Sequence, residues 1–293
     1  MKECFLGIDI GTGSSKGAIV DIEGKVLCQA SVPHQASMPF PGWYEQDADL
    51  VWWGDFRVLC KKLLDNLHQP KTSIKSVAVS TIAPCVLPVD KNGKPLRPGI
   101  LYGIDTRAEK EIREIEARVG NDLIFAKTGQ DLSSQSCCPK ILWIKKHEPE
   151  VWQKTAKVLT ATGYLVYKLT NEYTLDIYNA MGYAPIFDIQ QKIWDTSVAD
   201  FITEPDKLPE LLWSNQIAGE ISREAAELTG LPVGIPVMTG TADAAAEALA
   251  AGVEKTGDMM MMYGSSNFFI MKTKELKPTR AFWASNFLES GSY

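Results

Sequence analysis

The chain has 293 residues, 45% of them hydrophobic and 23% charged, with a formal net charge of −6. That length and mix suit one large or two moderate globular domains, each with a proper core. The acidic balance argues against a nucleic-acid or anionic-membrane surface, since both reward basic patches, but it does not exclude ATP, which local donors hold.

Residues 5–10, FLGIDI, read as an apolar strand that turns at Gly11, Thr12 and Gly13. Residues 17–21 restart a second strand, with no room for a helix between them. This hairpin sets Asp9 near the tip of its first strand. Its turn offers bare N–H groups, the hydroxyls of Thr12, Ser14 and Ser15, and one cation, Lys16. That set suits phosphate oxygens, with Asp9 able to hold a hydrated Mg²⁺ nearby. An ordinary tight hairpin, whose glycines merely permit positive φ, explains the same residues equally well. Two other phosphate motifs are excluded. Lys16 precedes Gly17 with no helical pattern after it, and GTGSSK lacks the third glycine of G-x-G-x-x-G.

Residues 26–32 complete an antiparallel meander. A Pro-punctuated loop over 33–42 then runs into PGWYEQD, where Asp47 stands to cap a helix over 48–67. Residues 76–81 and 86–89 read as strands, and Asp90 to Gly93 as a hairpin turn. Asp105 and Arg107 stand where a strand gives way to a helix over 108–119, whose charged face reads as solvated. Further helices are expected over 139–147, 150–158 and 161–169. Trp143, Trp152 and Trp194 read as packing residues rather than a sugar-stacking platform.

After a helix over 222–229, a strand at 236–238, a TGTAD turn at 239–243 and a small-residue helix over 244–251 follow in sequence. They put Asp243 in a first helical turn, where a carboxylate is favoured and stays ionised. Capping alone is a competing explanation, although Thr241 serves that purpose too. Residues 257–271 repeat the opening theme of strand, Gly264-Ser265-Ser266 turn and strand, with Met259 to Met262 read as buried. Two such hairpins suggest a duplicated architecture.

The six cysteines form no C-x-x-C pair and none of the three histidines stands near one. Neither zinc nor a disulfide framework is expected, and reduced thiols suit the cytoplasm. No run approaches the roughly 18 apolar residues of a membrane span, and Asp9 interrupts any apolar leader.

Together these motifs resemble the FGGY carbohydrate kinases, within the actin-like ATPase superfamily. GIDIGTGSSK at 7–16 is similar to the family's first phosphate motif, and PGWYEQD at 41–47 to its W-x-E-Q-D segment. Asp105-Thr106-Arg107 resembles the D-x-R substrate segment, and PKILW at 139–143 the P-K-L-L-W helix. Asp243 falls where the family keeps its catalytic aspartate, and Gly264, Ser265 and Ser266 where it keeps a second phosphate loop.

The resemblance implies an α/β, ribonuclease-H-like (actin-like ATPase) fold, with a mixed five-stranded sheet flanked by helices. Residues 1–252 would be the sugar-binding, catalytic domain and 253–293 the opening of a second domain of the same type. The adenine-binding segment would then lie beyond Tyr293, and this length by itself would not make a competent kinase. It also implies ATP and Mg²⁺ in one cleft, faced by both Asp9 and Asp243. Asp243 would be the general base and Asp9 would hold Mg²⁺ through water. Thr12, Gly13, Ser14 and Lys16 would contact the phosphates, with Gly264, Ser265 and Ser266 closing on them. Ala83, Pro84, Asp105 and Gln135 would line the sugar site beside Asp243.

Within the family the pattern is nearest to xylulose kinases, so a ketopentose such as D-xylulose is expected, with other pentuloses, hexuloses or gluconate as alternatives. Where xylulose kinases carry Q-M-H and glycerol kinases Q-R-E, this chain has Ile82, Ala83 and Pro84, which argues strongly against glycerol and weakens xylulose. Gln135 aligns with a substrate-contacting tyrosine of glycerol kinases. The rival is a sugar-binding regulatory protein that keeps the fold without the catalysis. No nucleic-acid or membrane partner is expected, and homodimer formation stays open.

Overall fold

In the computed structural model, which describes residues 2–263 and 267–293, the opening hairpin forms the middle of the main sheet. β1 (Cys4–Ile10) and β2 (Ser14–Asp21) pair antiparallel, and β3 (Val26–Pro33) adds a third antiparallel strand. Cys4, Leu6, Ile8 and Ile10 of β1 are buried, so alternation puts Asp9 on the other face. α1 (Gly54–Asp65) covers the buried face with Phe56, Leu59, Cys60 and Leu63.

The helix expected over 48–67 is in two parts. A π-type segment, Ala48–Trp53, comes first, with Asp47 Oδ1 accepting from the Leu50 N–H at 2.8 Å, and α1 follows. β4 (Ile74–Thr81) then pairs parallel with β1 on its free side, the crossover running through α1.

A second core is built from α2 (Glu109–Val119), α3 (Asn121–Thr128) and α4 (Cys137–His147), around Ile115, Ile124, Ile141 and Trp143. Trp152 is buried in it and Trp194 packs against it, as expected of packing residues. α3 has no forerunner in the sequence reading. The charged face of α2 is not wholly solvated either, since Glu111 is buried near Lys146 and His147.

The helix expected over 150–158 stops early. Pro149–Lys154 is helical, but Lys157–Leu159 is a strand paired antiparallel with Leu87–Val89, and Val158 and Leu159 are buried there. α5 (Ala161–Thr170) returns to the first core with Tyr164, Leu165 and Val166.

The chain re-enters the main sheet through β5 (Ile217–Glu220), α6 (Arg223–Thr229) and β6 (Pro236–Met238). β6 pairs parallel with β4 at Val237↔Val77, and β5 lies antiparallel on its edge. β7 (Thr241–Ala242) also pairs parallel with β4, and α7 (Asp243–Ala250) leaves it at once. The mixed sheet is present, but with seven strands rather than five. Edge strand β5 and the break between β6 and β7 account for the difference. At that break Gly240 has φ +74, and a Cβ there would clash with the Val79 carbonyl oxygen.

β8 (Met259–Tyr263) and β9 (Asn267–Met271) form the last hairpin. It is not the buried strand expected from its methionines. Met259, Met261 and Tyr263 are exposed, because among the described residues nothing covers the outer face of two strands. The tail instead seats Phe287 and Leu288 beside Ala245 and Ala248 of α7. All six cysteines are free. Among the described residues no helix is long and apolar enough to cross a membrane.

Gly240→Ala combines a left-handed backbone with a clash against strand β4. It should destabilise the protein by more than about 1 kcal/mol in urea unfolding, whereas Gly24→Ala, which meets no atom within 4 Å, should show the strain alone.

Candidate active site

Three strands share one rung. Asp9 on β1 is the Cα partner of Ser80 on β4, and Ser80 is the partner of Thr241 on β7. Ser80 Oγ donates to Asp9 Oδ1 at 2.8 Å. Lys16, opposite Asp9 across the hairpin, faces the same cavity of about 880 Å³, which Gly240 and Thr241 also line. Burial raises the Asp9 carboxyl above its ordinary range, against the Ser80 hydrogen bond and the Lys16 charge.

The turn at the end of β1 is held from behind. His34 Nε2 donates to the Gly11 carbonyl at 2.9 Å, Gln46 Nε2 to the Thr12 carbonyl at 3.1 Å, and the His34 N–H to the Gly13 carbonyl at 3.1 Å. Trp52 Nε1 donates to Gln46 Oε1 at 2.8 Å and so orients that amide. Thr12 Oγ1 lies 3.2 Å from the Tyr102 hydroxyl. Ser15 does not join the hydroxyls expected at the turn. It is fully buried and donates to Asp55, because alternation along β2 turns it away from Lys16.

Asp243 opens α7 and lines a second cavity of about 1100 Å³ with Ala83, Pro84, Tyr102, Gln135 and Asn179. Asp9 and Asp243 are close enough for the charge of one to raise the pKa of the other. They line adjoining cavities with Thr241 and Ala242 between them. The helix terminus does not keep Asp243 ionised. Burial pushes its carboxyl up to about 7, Asp9 and Glu247 add to the rise, and the Ala244 N–H donated to Oδ1 at 2.8 Å only opposes it. Thr241 is not the cap, since its hydroxyl donates to Asp176 Oδ2 at 2.9 Å.

Asp105 does not reach the sugar-side cavity, which corrects its expected role. Its carboxylate is fully buried, and Oδ2 accepts from the Tyr44 N–H and from Arg107 Nη2, both at 2.7 Å. Arg107 also donates to Glu45 Oε1 at 2.7 Å, and lies 4.4 Å from the Trp43 ring centre and 5.2 Å from that of Trp143. Three of the sequence motifs thus meet at one buried cation, as a brace.

Lys140, also buried, donates to the carbonyls of Leu101, Tyr102 and Ser134 at 2.7, 2.8 and 2.7 Å. Burial lowers its pKa to about 8. Those carbonyls flank Tyr102 and Gln135, and Gln135 Oε1 accepts from the Gly103 N–H at 3.0 Å.

Tyr102, Asn179, Asp176 and His34 were not singled out from the sequence. Asp176 is fully buried and raised to about 6 by that burial, with Asn179, Thr241 and Ser214 donating to it. No spacing around it announces the role. Gly264, Ser265 and Ser266 lie outside the described residues. Among the described residues no three His, Cys, Asp or Glu side chains form a metal cluster.

A family model, "FGGY family of carbohydrate kinases, N-terminal domain", matches residues 4–250. The chain is 29% identical over 266 residues to xylulose kinase of Escherichia coli (strain K12), covering 90% of this chain and 53% of that protein. It is 31% identical over 249 residues to xylulose kinase of Lactococcus lactis subsp. lactis, covering 85% and 49%. The crystal structure of xylulose kinase from Rhodospirillum rubrum superposes with a TM-score of 0.93 at 30% identity, over 99% of this chain and 59% of that one. Plasmodium falciparum glycerol kinase with ADP superposes with a TM-score of 0.82 at 25% identity, over 92% and 54%. The chain spans about half the length of the curated relatives it matches.

Arg107→Ala leaves Asp105 buried without its cation and should cost about 3–5 kcal/mol in urea unfolding. Asp243 titrates at about 7 in the folded protein against an ordinary 3.8, so the folded state holds that proton more tightly and stability falls as pH rises between those values. Asp243→Asn should therefore melt above the wild type at about pH 8, and the gap should close by about pH 4.

Proposed function

The chain belongs to the FGGY family of carbohydrate kinases, and from that membership we propose that it serves ATP-dependent transfer of a phosphoryl group to a hydroxyl of a small uncharged sugar, a ketopentose such as D-xylulose foremost. The observation that carries this reading is the place of Asp243. It lines a cavity that also presents Tyr102, Gln135 and Asn179, and it lies near enough to Asp9, in the cavity shared with Lys16 and Ser80, for the Asp9 charge to raise its pKa.

On the sugar side, Gln135 Oε1 and Asn179 Nδ2 already have partners, so the Gln135 amide N–H groups and Asn179 Oδ1 remain for substrate hydroxyls. That cavity is lined by Asp243, Glu247 and Glu275 against one cation, Lys277. A sugar acid such as gluconate would meet a net negative lining there, which favours a neutral substrate. Ala83 and Pro84 add an apolar face where glycerol would need polar partners.

In the proposed step the accepting hydroxyl gives its proton to Asp243, its oxygen bonds to the γ-phosphorus, and the bond from that phosphorus to the ADP oxygen breaks. Thr12, Gly13, Ser14 and Lys16 hold the β- and γ-phosphates. Gly264, Ser265 and Ser266, at the family's second phosphate motif, would contact the same phosphates, with residues 253–293 the opening of a second domain. Asp9 fits Mg²⁺ held through water, because Ser80 engages only Oδ1, and the ion would offset charge on the phosphates. The same reading places the protein in the cytoplasm, in keeping with six free cysteines, and a homodimer is the assembly to test by sedimentation.

In a chain extended to the length of those relatives, Asp243→Ala should lower sugar phosphorylation by about 10²–10⁴-fold while ATP binding stays near normal. Wild-type kcat/KM should fall as pH drops below about 7, where Asp243 takes up its proton. Coupled ATP turnover with pentuloses, hexuloses, gluconate and glycerol checks the substrate. Silence with every sugar would favour the non-catalytic sugar-binding rival, and unchanged turnover in the variant would sink the Asp243 assignment.

A further inference from the structure

Beneath the glycine turn sits a pair of titratable side chains that no step above uses. His34, just beyond β3, and Asp55, in the first turn of α1, meet at 2.7 Å between Nδ1 and Oδ2, with side chains 7% and 12% exposed. Ser15 Oγ donates to the same Asp55 oxygen at 2.7 Å. The other ring nitrogen, Nε2, lies 2.9 Å from the Gly11 carbonyl oxygen. A carbonyl only accepts, so Nε2 carries a hydrogen, and Asp55 sets the ring from its far side.

The backbone of His34 acts on the same turn, donating to the Gly13 carbonyl, while Gln46 Nε2 takes that of Thr12 at 3.1 Å and reaches that of Gly11 only at 3.4 Å, against 2.9 Å for His34. All three turn carbonyls therefore have donors behind the turn. The N–H groups of Thr12 and Gly13, by contrast, have no hydrogen-bond partner among the described residues. The turn has little slack, since a Cβ on Gly11 would stand 2.9 Å from the Ser14 carbonyl oxygen.

We infer that His34 is a positioning residue of the phosphate turn: its Nε2–H, oriented by Asp55, holds the Gly11 carbonyl on the His34 side of the turn and leaves the Thr12 and Gly13 N–H groups to meet phosphoryl oxygens. This rests on the phosphate reading of the turn given above. A carbonyl released from His34 could present the negative end of its dipole to a bound anion, and the adjoining N–H groups would turn with it.

Two substitutions separate the ring nitrogens. His34→Gln keeps an amide N–H within reach of Gly11 and gives up Asp55, whereas His34→Asn keeps a donor toward Asp55 and gives up Gly11. Affinity for Mg·tripolyphosphate by calorimetry, with thermal unfolding in parallel, reads the difference. The Gln variant should bind within about twofold of wild type and the Asn variant about tenfold more weakly, the size of one hydrogen bond, at similar melting temperatures. Equal affinities, or tighter binding by Asn than by Gln, overturn the inference. So does failure of both variants to fold, which makes His34 a plain core residue. A wild type that binds no tripolyphosphate overturns the phosphate reading as well; one that binds it while Gln and Asn behave alike overturns this inference only.

Discussion

The rung that joins Asp9, Ser80 and Thr241 is the constraint on which the site depends. Parallel strands about 4.8 Å apart bring β1, β4 and β7 side by side, so the helix leaving β7 must begin beside the carboxylate on β1. Because side chains alternate, a slip of one residue in either pairing would set Asp9 on the face opposite Ser80 and Thr241. The register is secured by the buried residues of β1 and β4, above all Leu6, Ile8, Val77 and Val79.

Placement then decides charge. Asp243 sits at a helix start, where the backbone favours an anion, yet burial and the neighbouring Asp9 outweigh that help and lift its pKa to about 7. A carboxyl poised there can exchange a proton near neutrality, which an exposed helix cap could not. Asp176, one hydrogen bond away through Thr241, holds the segment that leads into Asp243 and the Asn179 side chain on the opposite wall.

Arg107 shows a different use of buried charge. A guanidinium removed from water is costly unless several partners meet it, and here two carboxylates and two indole rings do so. Together with Lys140 it clamps the loops of Tyr102 and Gln135, which face the sugar-side cavity. The Asp105–Arg107 segment, which reads as substrate chemistry in the sequence, is here part of the frame behind the wall.

Adjacent residues determined much by themselves: the hairpin over residues 5–21 from alternation and its glycine turn, the Asp47 cap, and Asp243 between a strand and a small-residue helix. Each of these depends on neighbours a few positions apart, so the chemistry is local and legible. Tertiary structure alone decided that Asp105 is buried against Arg107, that Ser15 points inward to Asp55, that 157–159 is a strand, and that the methionines of β8 are exposed. These turn on what packs across from each residue, whether a partner strand, a counter-charge or open solvent. Such partners come from distant positions in the chain, and only the folded register brings them together.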